Sequence, residues 1–134
     1  MERNSISAAK TMKNILLADD DPFILDIYSI KFKKEGYKLD VAKNCQTALE
    51  KIRANPPDLV ILDIDFGPGE MNGWELLKII RGDAKIKDVK VIILSNHNEQ
   101  NYPHDVLSLK ATKFFLKVET NIEDIMTAVK EILK

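Results

Sequence analysis

The chain has 134 residues, 45% of them hydrophobic and 31% charged, with a formal net charge of −1. This length fits one domain, and the composition favours a soluble globular protein. The balanced charge excludes a polyanion binder held by bulk charge, and no apolar run approaches the roughly 18 residues that span a bilayer. The single cysteine excludes an internal disulfide framework and a cysteine metal cluster. Since the N-terminus lacks a secretion signal, we expect a cytoplasmic protein with a polar tail at 1–12 and one domain at 13–134.

Short apolar runs alternate with amphipathic stretches along the chain, which indicates strands separated by helices. Five runs predict β-strands and five stretches predict helices. The strands are Asn14–Ala18, Lys38–Ala42, Leu59–Leu62, Lys90–Leu94 and Lys113–Leu116. The helices are Pro22–Glu35, one capped by Asn44, about Gly73–Arg81, a short one from Pro103 to about Leu109, and a last one with Ile122, Ile125, Val129 and Ile132 on one face.

Capping residues mark several helix ends. Asp21 before Pro22 is a favourable N-cap, which we prefer to a metal-ligand role for this residue. Gly36 occupies a position typical of a helix C-terminus. Thr120 and Glu123 have the spacing of a capping box and predict the start of the last helix.

Continuously apolar strands separated by helices are typical of a parallel sheet covered by helices on both faces, a three-layer doubly wound α/β fold. Because the crossovers are right-handed, the carboxyl ends of all strands meet at one edge of the sheet. Ligands of such sheets bind at that edge, near the point where the strand order reverses.

Acidic residues, one hydroxyl and one lysine follow the predicted strands at this edge. Clustered carboxylates repel one another, and a hard divalent cation such as Mg²⁺ or Mn²⁺ relieves the repulsion. A metal beside a carboxylate, a hydroxyl and a lysine is suited to phosphoryl transfer, in which the carboxylate attacks in line. The residues are Asp19 and Asp20 after the first strand, Asp63 and Asp65 after the third, Ser95 after the fourth and Lys117 after the fifth.

Five segments of the sequence resemble the receiver domain of two-component response regulators, and the resemblance runs from Lys13 to the C-terminus. The segments are ILLADDDP (Ile15–Pro22), PDLVILDI (Pro57–Ile64), NGWELLKIIR (Asn72–Arg81), VIILSN (Val91–Asn96) and KFFLK (Lys113–Lys117). The resemblance implies a flavodoxin-like (βα)5 fold with a five-stranded parallel sheet in the order 2-1-3-4-5. It also implies a signalling domain that accepts a phosphoryl group, rather than an enzyme.

The resemblance assigns roles to individual residues. The phosphoryl donor would be a histidine kinase or a histidine phosphotransfer protein. Asp63 would be the phosphoacceptor, Asp19 and Asp20 would bind Mg²⁺, and the backbone carbonyl of Asp65 would complete the metal site. Ser95 and Lys117 would bind the phosphoryl group, and Phe114 would be the aromatic switch residue.

Phosphorylation would add nearly two negative charges at the sheet edge. Ser95 and Lys117 would move towards the phosphoryl group, and Phe114 would turn inward into the space that the strand-four loop leaves. The face formed by the fourth and fifth predicted helices and the fifth strand would then change for a partner protein. The sequence leaves open whether this face also forms a phosphorylation-dependent homodimer.

The chain departs from the family pattern in four places. The loop after Asp63 is longer than usual and contains Gly67-Pro68, and Asn96 follows Ser95 where a small residue is usual. Val118 follows Lys117 where proline is usual, and Phe114 lacks the hydroxyl of the frequent tyrosine. By resemblance, Asp65 and His97 flank the path of the hydrolytic water and tune the phosphoryl lifetime; the alternative is two solvated loop residues.

Three other functions fit parts of the sequence. A receiver-like binding module that is never phosphorylated would normally have lost an acid, the hydroxyl or the lysine, and all are present. Asp63-Ile64-Asp65 also fits the D-x-D start of haloacid-dehalogenase-type phosphatases, but here the Asp-Asp pair comes first and no second Asp-Asp pair follows Lys117. A DNA-binding regulator is disfavoured because only one predicted helix follows Lys117, so we expect no direct nucleic-acid or membrane binding. The chain favours a stand-alone receiver over a fragment of a larger regulator.

Overall fold

The computed structural model describes residues 12–96 and 109–134. The strands are β1 (Asn14–Ala18), β2 (Lys38–Ala42), β3 (Leu59–Asp63), β4 (Lys90–Ser95) and β5 (Lys113–Leu116). The described α-helices are α1 (Pro22–Lys34), α2 (Cys45–Ala54), α3 (Gly73–Gly82) and α4 (Ile122–Ile132), and a 3-10 turn at Lys117–Glu119 follows β5. All five predicted strands are confirmed, with β3 and β4 each extended at the carboxyl end. The short helix predicted at 103–109 falls almost entirely outside the described residues.

The five strands form one parallel sheet in the order β2-β1-β3-β4-β5, which confirms the predicted topology. The order reverses at β1, which has β2 on one side and β3 on the other. In the register of β1 and β3, Ala18 lies opposite Leu62. The next residues of these strands, Asp19 and Asp63, are therefore neighbours at the carboxyl edge.

Helices cover both faces of the sheet, and each face has its own buried cluster. One cluster joins α1 and α4 to the sheet and contains Phe32, Ile61 and Val129. The other joins α2 and α3 to the opposite face and contains Ile52, Leu62 and other buried side chains. Every residue of β3 is buried, as expected for the central strand of a doubly covered parallel sheet. The strand that ends in Asp63 is thus held on both faces.

Two predicted helix caps are confirmed at α1 and α2. The Asp21 carboxylate accepts a hydrogen bond from the Phe23 backbone N–H at 2.9 Å, and the Asn44 side chain accepts one from the Thr47 N–H at 2.7 Å. Gly36 lies just past the end of α1 and has a φ of +89°. Its N–H donates to the Lys33 carbonyl in the last turn of the helix. A left-handed residue at this position is favourable for glycine and closes the helix.

The predicted capping box of the last helix is wrong by one residue. Asn121 is the N-cap of α4: its side chain accepts from the Asp124 N–H at 2.9 Å, and Asp124 accepts from the Asn121 N–H at 3.2 Å. The Thr120 hydroxyl instead donates to the Leu116 carbonyl at 2.7 Å. Both residue pairs have the same spacing, and the 3-10 turn after β5 uses the threonine hydroxyl before the helix begins.

Arg81, near the end of α3, connects three parts of the chain. Its guanidinium donates to the carbonyl oxygens of Lys87 at 2.9 Å and Val89 at 2.6 Å, just before β4. It also donates to Leu109 at 2.7 Å and Lys110 at 3.1 Å, just before β5. The planar fork of arginine suits such multiple contacts, which fix the amino ends of both strands to α3.

Among residues 12–96 and 109–134, no helix has the length and apolar character that crossing a membrane requires.

Candidate functional site

The carboxyl edge of the sheet brings together most of the predicted site residues. Asp63 is the last residue of β3, Ser95 is the last residue of β4, and Lys117 directly follows β5. Asp19 and Asp20 directly follow β1. Asp19, Asp63 and Ser95 are the buried polar or charged residues within the described part of the chain. The buried polar residues of the described chain therefore all lie at the carboxyl edge of the sheet.

The Lys117 ammonium group bridges two buried carboxylates. Its Nζ lies 3.1 Å from Asp19 Oδ2 and 3.1 Å from Asp63 Oδ2. Asp19 is 0% exposed and Asp63 is 5% exposed, and a carboxylate is costly to bury unless it is paired and hydrogen-bonded. Lys117 follows β5, which is the neighbour of β4 at the edge of the sheet. Its long side chain extends past the end of β4 to reach Asp63 and Asp19.

Backbone hydrogen bonds fix the other oxygen of each carboxylate. Asp19 Oδ1 accepts from the Asp21 N–H at 3.0 Å, and Asp63 Oδ1 accepts from the Ile64 N–H at 2.8 Å. Each carboxylate therefore has one oxygen on the backbone and the other on the Lys117 ammonium. This arrangement gives both side chains a defined orientation in the site.

The site carries more negative charge than Lys117 neutralises. Burial raises the pKa of Asp63 to about 6, the Asp19 carboxylate adds to the increase, and Lys117 only partly opposes it. Burial lowers the pKa of Lys117, but the facing carboxylates of Asp63 and Asp19 outweigh it and hold that pKa above its usual value. A further positive charge would therefore stabilise the ionised form of Asp63.

Three carboxylates are placed to bind one cation. Asp19, Asp20 and Asp63 each offer an oxygen, and these oxygens lie within 4.8 Å of one another. Asp20 is exposed, whereas the other two are buried, so the group opens to solvent on one side. An all-carboxylate donor set with room for water suits Mg²⁺ or Mn²⁺. The residues present thus fit the hard cation that the sequence predicts.

The other predicted site residues lie around this cluster. The Asp65 side chain is exposed, and the proposed use of its carbonyl as a ligand remains a prediction. The Phe114 side chain is half-buried in β5, and its ring centroid lies 6.4 Å from that of Trp74 in α3. His97 falls outside the described residues.

The longer loop between β3 and α3 has a defined path. The Glu70 N–H donates to the Gly67 carbonyl at 3.3 Å across Pro68 and Gly69, and Gly69 has a φ of +81°. Proline followed by a glycine of positive φ is the arrangement of a type II turn. Before the turn, the side chain of Phe66 is buried in the core. The extra residues therefore form a tight surface turn while the ends of the loop stay packed.

Gly73 has a structural role that the sequence did not predict. Its N–H donates to the Ile64 carbonyl at 2.9 Å, and a Cβ on Gly73 would overlap the carbonyl oxygen of Asp63. A glycine at the first position of a helix is the sequence signal that could have indicated such a close approach. This contact places the N-terminus of α3 directly against the backbone of Asp63.

We predict that Asp63→Asn stabilises the protein when no divalent cation is present. Because the folded state raises the pKa of Asp63, ionised Asp63 lowers the stability of the folded protein. This loss of stability grows as the pH rises and is complete above about pH 6. At neutral pH the neutral amide should raise the free energy of unfolding by ~1–3 kcal/mol, measured by urea denaturation in EDTA. Asp26→Asn, at an exposed position of α1, is the control and should change stability little. A less stable Asp63→Asn variant would contradict this account of the site.

The comparisons with known proteins point to one family. The family model described as "Response regulator receiver domain" matches residues 15–130. Sporulation initiation phosphotransferase F of Bacillus subtilis is 35% identical over 121 residues, covering 90% of this chain and 94% of that protein. The heme response regulator HssR of Staphylococcus saprophyticus is 29% identical over 128 residues, which cover 92% of this chain and 52% of HssR. The chain thus spans about half the length of some of the curated relatives it matches.

Solved structures agree with this assignment. Response regulator TrrA of Thermotoga maritima, solved in complex with Mg²⁺ and BeF, has a TM-score of 0.76 and 32% identity over 90% of this chain and 99% of that one. The chemotaxis protein CheY4 of Vibrio cholerae has a TM-score of 0.79 at 22% identity over 90% of this chain and 98% of that one, which supports the shared fold. The chain belongs to the response regulator receiver domain family of two-component signalling systems.

Proposed function

We propose that Asp63 accepts a phosphoryl group from a phosphohistidine of a histidine kinase or a histidine phosphotransfer protein, in a reaction that requires Mg²⁺. The observation that carries this proposal is the contact of Lys117 with both Asp19 and Asp63. This contact orients the buried Asp63 carboxylate beside an ammonium group that is carried on a flexible four-carbon stem. The relative TrrA is crystallised in complex with Mg²⁺ and BeF, which supports the proposal that this chain also binds Mg²⁺.

In the proposed reaction, Asp19, Asp20 and Asp63 hold the metal. When bound, Mg²⁺ supplies positive charge against the phosphoryl oxygens. An Asp63 carboxylate oxygen attacks phosphorus in line, the bond from phosphorus to the donor imidazole breaks, and the imidazole nitrogen takes a proton from solvent. The Lys117 ammonium shifts from the carboxylate to a phosphoryl oxygen, and the Ser95 hydroxyl donates to another.

The remaining predicted roles follow from this reaction as proposals. The Asp65 carbonyl completes the metal site, and the side chains of Asp65 and His97 tune the lifetime of the phosphoryl group. Movement of Ser95 and Lys117 towards the phosphoryl group lets Phe114 turn inward, which alters the face around β5 for a partner protein. Because Phe114 has no hydroxyl, this switch works by packing.

The direct test is intact-mass spectrometry after incubation with Mg²⁺ and acetyl phosphate. We expect the wild-type chain to gain one phosphoryl group, and we expect no gain in EDTA or in the Asp63→Asn variant. Asp26→Asn, which removes an equivalent charge at an exposed position of α1, should still be phosphorylated. A gain that persists in Asp63→Asn would move the acceptor to another residue. No gain in the wild type, together with no binding of beryllofluoride, would contradict a phosphoacceptor function.

An exposed apolar stripe on α1 supports a docking surface for the donor. Phe23 is 70% exposed, Ile27 is 37% exposed and Ile30 is 71% exposed. Their spacing places them on one face of the helix. Because α1 begins directly after Asp19–Asp21, this stripe starts at the rim of the carboxylate site. A donor histidine that reaches Asp63 must bring its surface over this rim, so we propose that the stripe contacts an apolar helical surface of the donor protein.

We predict that Ile30→Ala slows phosphoryl transfer from a phosphorylated histidine phosphotransfer domain by about tenfold, as for truncation of an apolar interface residue. The rate with acetyl phosphate should not change, because Ile30 lies away from the reacting groups. Met12→Ala removes another exposed apolar side chain, 45% exposed and outside α1, and should leave both rates unchanged. Equal slowing with both donors, or no slowing with the protein donor, would contradict the docking surface.

A further inference from the structure

We infer that Trp74 is a positioning residue of the switch, connecting the backbone around Asp63 to Phe114 through the first turn of α3. The inference rests on the proposed phosphorylation of Asp63. It adds a second connection to the one that runs through Ser95 at the end of β4. Three observations carry it: a ring contact, a backbone contact and the packing of the loop between β3 and α3.

The first observation is the contact between Trp74 and Phe114. Their ring centroids lie 6.4 Å apart with an interplanar angle of 41°. Trp74 is 9% exposed, and Phe114 packs against the same buried cluster between the sheet and the α2–α3 layer. This distance and tilt lie in the range in which aromatic rings attract one another. The position of the Phe114 ring therefore depends on where Trp74 is held.

The second observation is that the start of α3 lies against the backbone of Asp63. Gly73, the residue before Trp74, donates to the Ile64 carbonyl at 2.9 Å and has no room for a Cβ beside Asp63. The Asn72 side chain caps the helix by accepting from the Glu75 N–H at 2.9 Å. The first turn of α3 is thus capped and in direct contact with the backbone around Asp63. A shift of that backbone would therefore displace Trp74.

The third observation is the packing of the loop that joins β3 to α3. Ile64 is 3% exposed and Phe66 is 7% exposed, and both belong to the buried cluster that contains Trp74. Met71 packs against this cluster from the other end of the loop. Densely packed side chains transmit a displacement, because there is little empty volume to absorb it. The charge added at Asp63 therefore acts on Phe114 through α3 as well as through β4.

Trp74 is the single tryptophan of the chain, so the tryptophan fluorescence of the protein comes from this residue alone. The first experiment adds beryllofluoride to the full chain in saturating Mg²⁺, with Mg²⁺ alone as the baseline. We expect a saturable change in Trp74 emission in the wild type. Phe114→Leu should reduce this change severalfold. Phe115→Leu is the matched control, because Phe115 is the next residue of β5 and packs on the opposite cluster, and it should keep the change.

The second experiment is a double-mutant cycle on the rate of phosphorylation by acetyl phosphate. We expect Trp74→Leu and Phe114→Leu each to change the rate by about threefold or more, and the double variant to resemble the single variants. Such non-additivity would not arise from independent structural damage at the two sites. Trp74→Phe keeps an aromatic ring and the fold, and it should retain most of the wild-type rate.

The outcomes separate this inference from the proposed function. Normal phosphorylation with an unchanged fluorescence response in Phe114→Leu, or with additive effects in the cycle, would overturn the role of Trp74 and leave the phosphoacceptor assignment in place. A failure of Asp63 to take up a phosphoryl group would overturn both. Phosphorylation together with a response that needs Phe114 but not Phe115 would support the connection through α3.

Discussion

The Lys117 ammonium group between the carboxylates of Asp19 and Asp63 is the interaction on which the site depends. Burying two carboxylates side by side is costly unless a cation pairs with them, and Lys117 is that cation. The strand order supplies the arrangement, because β1 and β3 are neighbours and the lysine reaches them from beyond β4. One ammonium is still insufficient, as the raised pKa of Asp63 indicates. The same deficit of positive charge that opposes folding favours the binding of a divalent cation. We propose that this cation also offsets the negative charge that a phosphoryl group would add.

The fold holds this charged site by making its surroundings rigid. β3 is buried along its whole length, so Asp63 lies at the end of the most firmly packed strand. Asp21 caps α1 beside Asp19, and Gly73 lets α3 approach the Asp63 backbone directly. The N-termini of α1 and α3, which cover opposite faces of the sheet, thus both lie against the backbone of the site. A site strained by buried charge and enclosed by dense packing passes a local change to its neighbours, and this is the physical basis that we propose for the switch.

Sequence predicted the strands, the layers and the residues that meet at the edge, because these follow from local apolar runs and from the rule that parallel strands share one carboxyl edge. The strand order came from the family resemblance. The errors and omissions concern contacts that no local pattern contains. Thr120 and Asn121 begin equivalent capping patterns, and only the tertiary use of the threonine hydroxyl decides between them. The close approach of Gly73 and the ring contact of Trp74 with Phe114 equally depend on how distant segments pack.

The central claim is that the carboxylate cluster is a cation site made by Asp20 together with the two buried acids, and its most direct test is stability as a function of Mg²⁺ concentration. The account predicts that the urea midpoint of the wild type rises steadily with the logarithm of Mg²⁺ concentration, since the cation binds the folded state. Asp20→Asn should lose most of this rise. Asp21→Asn, which removes the same charge one residue later and keeps a good helix cap, should retain it. A wild type indifferent to Mg²⁺, or the same rise in Asp20→Asn as in the wild type, would contradict the account.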